Sequence, residues 1–97
     1  MRPMSDLTLN SRVTIPELVV YRDLGGETVV LNLETGIYFD LDGVATDAWL
    51  AMQRTANLQE VHAHLLSVYD VDSQVLSRDL LRLVEQMSAK GLLRIEA

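Results

Sequence analysis

The chain has 97 residues, 48% of them hydrophobic, with no cysteine, eight basic against fourteen acidic residues, and a formal net charge of −6. That balance suits one small globular domain and excludes disulfides, thiolate metal sites and cysteine nucleophiles. It also argues against nucleic acid and anionic membrane as partners, since both are held through Lys and Arg.

Residues 1–12 are polar and aperiodic and are expected to form a flexible N-terminal tail, leaving 13–97 as one domain. They lack the apolar stretch of a signal peptide, and no apolar run approaches the ~20 residues that span a bilayer, so a cytoplasmic protein is expected. Leu18 to Arg22 is rich in β-branched and aromatic residues and is followed by the turn residues Gly25 and Gly26. Thr28 to Leu33 alternates, with Val29, Leu31 and Leu33 on one side and Thr28, Val30 and Asn32 on the other. Glu34-Thr35-Gly36 reads as a hairpin loop. Ile37 to Leu41 alternates again, with Tyr38 and Asp40 opposite Ile37, Phe39 and Leu41. Three such strands predict an antiparallel meander with one face on a core.

The period then changes from two to 3.6. Asp42 is the expected N-cap of a helix over 43–54 that buries Val44, Ala48, Trp49 and Met52. Asn57 with Glu60 resembles a capping box opening a second helix over 58–69, with Val61, Leu65, Leu66 and Tyr69 as its apolar stripe. A third helix starts at Asp72 or Ser73 and carries Leu76, Leu80, Leu83, Val84 and Met87 on one face. Lys90-Gly91 stops it, and 92–95 can add a short last strand. The fold class is therefore α+β, a three-stranded antiparallel sheet followed by three helices.

No catalytic arrangement stands out. His62 and His64 are two residues apart on a helix and point to different sides, so they do not chelate one metal and read as surface or half-buried residues. The Asp40/Asp42 pair has no third carboxylate or phosphate-binding lysine beside it, and capping explains Asp42 better. The glycines form neither a Walker loop nor a dinucleotide fingerprint. No cofactor, metal or enzymatic activity is expected. What remains is surface: the strand 37–41 is short, apolar and edge-placed, and an unpaired edge invites an extended peptide unless a helix or a second copy covers it.

The run Leu31-Asn32-Leu33-Glu34-Thr35-Gly36-Ile37-Tyr38-Phe39-Asp40-Leu41, then Val44 and Trp49, resembles the core pattern of PqqD-like proteins, roughly L-x-L-x-T-G-x-Y-[YF]-x-L-N-x-x-G-x-x-I-W. Tyr69-Asp70-Val71-Asp72, Asp79-Leu80 and Lys90-Gly91-Leu92-Leu93 also fall where that family tends to have them. The likeness spans about 13–95. Asp42, Ala45 and Ala48 stand where the family favours Asn, Gly and Ile, which implies slightly different packing. These proteins are the recognition elements for precursor peptides that are ribosomally made and then modified, and this sequence looks closer to lasso-peptide leader binders than to the pyrroloquinoline-quinone member. The resemblance implies a winged helix-turn-helix with an N-terminal three-stranded sheet. It further implies that a leader segment adds a strand beside 37–41, against the third helix, and is delivered to a separate leader peptidase and modifying enzyme.

On that footing the expected peptide-binding residues are Ile37, Tyr38, Phe39, Asp40 and Leu41 on the strand, with Val75, Arg78, Leu81, Arg82 and Glu85 on the helix. Leu81 is expected in a pocket for an apolar leader residue, and Arg78 and Arg82 opposite leader carboxylates. Four or five strand hydrogen bonds at a net ~1 kcal/mol each give roughly 5 kcal/mol, against an association cost of roughly 4–15 kcal/mol, so side-chain anchors must supply the rest. A monomer or weak dimer is expected. The rival readings are a winged-helix DNA-binding regulator, a chaperone of the pyrroloquinoline-quinone type, and a structural subunit pairing edge to edge.

Overall fold

The computed structural model describes residues 7–96. The chain lays down β1 (Arg12–Thr14), β2 (Val19–Asp23), β3 (Glu27–Asn32) and β4 (Tyr38–Asp42) before α1 (Val44–Met52), α2 (Leu58–Val68) and α3 (Ser73–Ala89), and it ends in β5 (Arg94–Glu96). The expected meander is β2-β3-β4, antiparallel throughout, with Val19 opposite Asn32 and Leu31 opposite Tyr38. Gly36 takes φ +78° in the β3–β4 turn, the left-handed conformation a side chain would disfavour.

A second, two-stranded sheet joins the ends of the domain. Val13 of β1 lies opposite Ile95 of β5, and the other side of β1 is held where the Val13 N–H donates to the Ala56 carbonyl at 3.0 Å. The C-terminal strand is thus present as expected, but its partner lies at the border of the expected tail. Residues 1–6 of that tail lie outside the described residues. Residues 7–12 do not behave as a tail: Leu7 and Leu9 pack on the core, and Ser11 is buried with its hydroxyl accepting from the Thr8 N–H. A three-residue strand is too short to show a period of two, and its partner is some eighty positions away, so no local pattern announces it.

Helix α1 departs from the expected start. Asp42 is not its cap; it is the last residue of β4, extended opposite Glu27, and the chain turns at Gly43 with φ +55° and ψ −127°. Sheet pairing outcompetes capping there, and only glycine takes that turn without strain. The α2 start uses the predicted residues in a modified way. Asn57 Oδ1 accepts from the Gln59 N–H at 2.8 Å, while Glu60 accepts from the Thr55 hydroxyl, which in turn accepts from the Asn57 N–H. The capping box is closed through Thr55 instead of directly. Asp72 caps α3 by accepting from the Val75 N–H. At the other end the Leu92 and Gly91 N–H groups reach back to the Met87 and Ser88 carbonyls, a Schellman close that needs the positive φ of Gly91.

The core lies between the inner face of the sheet and the three helices. Trp49 is fully buried and meets Tyr21 of β2 edge-to-face at 5.8 Å, with Leu58, Val61, Leu65, Val84, Met87 and Leu92 around the same core. On β3 the buried side chains are Thr28, Val30 and Asn32, whereas Val29 and Leu31 are half-exposed and Leu33 is exposed. The more apolar side of that strand therefore faces out. His62 is buried, and its Nε2–H donates to the Ser73 carbonyl at 3.0 Å, holding α2 to the start of α3; His64 is exposed.

The Tyr69 hydroxyl donates to the Asp47 carboxylate and ties the end of α2 to α1. This hydrogen bond, then desolvation and the charge of Asp47, hold the phenol above its ordinary value of 10.0. A raised pKa in the folded state means stability that is fully present below the unfolded value and lost as pH rises through the folded one. Urea midpoints measured from pH 8 upward should fall above about pH 10, and the fall should be shallower in Tyr69→Phe. An equal slope in both would dismiss this contact as the source.

Candidate functional site

The site is built from an open sheet edge and the cleft beside it. In the order β2-β3-β4, one edge of β4 has no partner among the described residues. The Asn32 N–H donates to the Ile37 carbonyl at 2.9 Å, and this sets the alternation along the pair. With Phe39 opposite Val30 and Leu41 opposite Thr28, those two residues turn their backbone groups to β3. Tyr38, Asp40 and Asp42 turn theirs to the free edge. Three N–H and three C=O groups are therefore offered to an incoming strand.

The start of α3 lies by Val44, just past β4, and its end lies by Phe39 near the start of β4, so the two run in opposite directions. Near the end of β4, Val44, Ala45 and Ala48 of α1 face Val75, Asp79 and Leu83 of α3 over a pocket of about 190 Å³, with Leu65 and Val71 also lining it. Cavities of ~150 Å³ accept a benzene ring, so there is room for one large apolar side chain. Near the start of β4, the Lys90 ammonium sits 5.8 Å from the Phe39 ring centroid. The two walls are joined below by Asn32, which is 6% exposed: its Nδ2 donates to the Gly91 carbonyl at 2.8 Å, and its Oδ1 accepts from the N–H groups of Glu34 and Thr35. One side chain thus fixes both the hairpin turn and the end of α3 relative to it.

The expected strand residues divide by their role. Tyr38, 64% exposed, and Asp40 belong to the open edge through their backbone groups. Ile37 precedes β4 and is exposed; Phe39 is half-buried beneath Lys90. Leu41 is a core residue whose backbone groups turn to β3. The expected helix row is split more sharply. Val75 lines the pocket that opens past the end of β4, opposite Val44. Arg78, Leu81, Arg82 and Glu85 do not; they line an open groove on the other flank of α3, with Leu7, Leu9, His62, Ser73, Gln74 and Ser77. The division has a simple cause. A helix leaves two margins on either side of its buried stripe, and the spacing of residues does not tell which margin meets the sheet. Leu83, assigned to the core from its spacing, is half-buried and forms part of the cleft wall.

Among the described residues no group of three or more His, Cys, Asp or Glu is arranged to hold a metal, and no helix is long and apolar enough to cross a membrane. The family model described as Coenzyme PQQ synthesis protein D (PqqD) matches residues 27–93. The chain belongs to the PqqD family. The matched segment of this PqqD-family chain runs from the first residue of β3 to just short of β5, so it contains both walls of the cleft and the Asn32 tie. Among solved structures, this PqqD-family protein is similar to one described as TbiB1 in complex with the TbiA(beta) leader peptide. The identity is 31%, the TM-score 0.79, and the match covers 84% of this chain and 94% of that one. A lasso peptide synthetase B1 complexed with the leader peptide shares the fold at 23% identity and a TM-score of 0.66, over 86% and 98% of the two chains. No curated protein matches the chain.

Proposed function

We propose that this protein binds the leader segment of a ribosomally made precursor peptide, in a pathway of the lasso-peptide kind, and hands it to a separate leader peptidase and modifying enzyme. The observation that carries the reading is the juxtaposition of an open β4 edge with an apolar pocket wide enough for one side chain. The solved relatives are described with leader peptides bound, which supports the same reading.

The energetics require both parts. Six backbone hydrogen bonds at about 1 kcal/mol net give at most about 6 kcal/mol, close to the lower bound of roughly 4–15 kcal/mol for association. Burying one large apolar side chain adds about 1.5–3 kcal/mol. The edge therefore supplies register and the pocket supplies discrimination. A binder of this type acts by raising the local concentration of the peptide near other enzymes and needs no catalytic group of its own. With its caps, α3 carries Asp72, Asp79 and Glu85 against Arg78, Arg82 and Lys90 and so has no excess of positive charge for phosphate, which favours peptide over DNA.

Fluorescence polarisation with the labelled TbiA(beta) leader peptide tests the reading. Leu83→Arg, in the cleft wall, should weaken binding by about tenfold or more. Leu81→Arg, on the opposite flank, should leave it within about twofold. The reverse pattern would move the site to the far groove, and no binding by the wild type at any concentration would remove the proposal.

A further inference from the structure

The cleft is electrically polar along its length. Of the residues lining the apolar pocket, Asp79 alone carries a charge. At the opposite end stands Lys90, held over Phe39 of the edge strand. Its place is reinforced by two effects: the ring face attracts the ammonium, and the C-terminus of α3 favours a cation. Asp40 and Asp42 lie on the same strand but alternate away from Phe39 and Leu41, so their side chains do not neutralise Lys90 from within the cleft. Arg78, Arg82 and Glu85 are on the far flank of α3.

Accepting the peptide-binding reading above, we infer that Asp79 and Lys90 select the charge pattern of the bound segment and the direction in which it lies. Asp79 and the C-cap Lys90 are eleven positions apart, about 16 Å along the axis, which an extended strand covers in about five residues. The segment that fits carries an apolar anchor for the pocket and a basic side chain beside it at the Asp79 end. About five positions away, at the Lys90 end, it carries an acidic one. Because strand hydrogen bonding tolerates either direction, the order of these two charges is what distinguishes them. The pairing also has an electrostatic purpose: a chain of net charge −6 repels acidic peptides in general, and one fixed cation in the cleft admits a carboxylate at a single place.

Both side chains are exposed, so reversing their charge leaves the core untouched. A displayed library of random dodecapeptides is selected on the full chain, on Lys90→Glu and on Asp79→Lys. Wild-type selection should enrich an apolar anchor flanked by an acidic and a basic residue in one fixed order. On Lys90→Glu the acidic position should turn basic, and on Asp79→Lys the basic position should turn acidic. A peptide from the wild-type pool should lose about tenfold in affinity on Lys90→Glu and recover on exchanging its own acidic residue for Lys. Anchored peptides without charge preference, or identical pools from all three proteins, would overturn this inference while leaving peptide binding intact. Enrichment of no peptide at all would overturn peptide binding itself.

Discussion

Replacing Asp40 by proline should abolish or reduce leader binding by about tenfold to a hundredfold while leaving the domain folded. The Asp40 N–H lies in the middle of the three backbone donors on the open edge of β4 and takes no part in the β3 ladder. Proline removes that donor and puts its ring where the incoming strand must approach, yet edge strands accept proline on the side away from their partner. One lost or unsatisfied hydrogen bond costs about 1–3 kcal/mol, which is the stated loss in affinity. Phe39→Pro is the contrasting variant, since its N–H faces β3 and its loss breaks the ladder itself. Thermal melts and fluorescence polarisation on the two proteins separate the effects. If Asp40→Pro binds like the wild type, the peptide does not add to β4.

Asn32→Ala should destabilise the domain by about 2–4 kcal/mol. Its side chain makes three hydrogen bonds, to the Gly91 carbonyl and from the Glu34 and Thr35 N–H groups, in a buried position. At about 1 kcal/mol each, with a further penalty for partners left unpaired, the sum reaches that range. For a chain of this size each kcal/mol moves Tm by roughly 4–8 °C. The effect on function should outrun the effect on stability. Asn32 is the link between the β3–β4 turn and the end of α3, so its loss loosens one wall of the cleft against the other. Leader affinity measured well below the melting point should fall in Asn32→Ala but not in a core variant of equal destabilisation, such as Val84→Ala. Equal affinities in the two would make Asn32 a residue of stability alone.

Much of this site was visible in the linear pattern, and the reasons are local. The alternation in 37–41 gives an edge strand because the side-chain period of a strand is two, whatever surrounds it. The apolar stripe Leu76-Leu80-Val84-Met87 gives a buried helix face for the same kind of reason, and all four are buried. Gly36 and Gly91 announce their turns because their backbone angles exclude other residues at little cost to glycine. Asp42 shows where this logic fails: an aspartate before a helix is a good cap in isolation, but here the sheet register claims it first.

Asn32 is the clearest residue that pattern reading passed over. It falls on the polar-looking side of an alternating strand, and its partner Gly91 is 59 positions away. Its one available signal was an asparagine beside a tight turn, where such side chains often hold backbone N–H groups; the reach to α3 had no signal at all. The β1–β5 pairing is of the same kind.

The meander followed by three helices, an edge strand over residues 37–41 and the lack of a recognisable catalytic motif follow from composition and period alone, because these depend on neighbours one to four positions apart. Which margin of α3 faces that edge was settled only by tertiary packing. Val75, Asp79 and Leu83 line the cleft, and the row Arg78, Leu81, Arg82, Glu85 does not. A helix can rotate by a fraction of a turn with its stripe still buried, and only the docking of all three helices on the sheet removes that freedom.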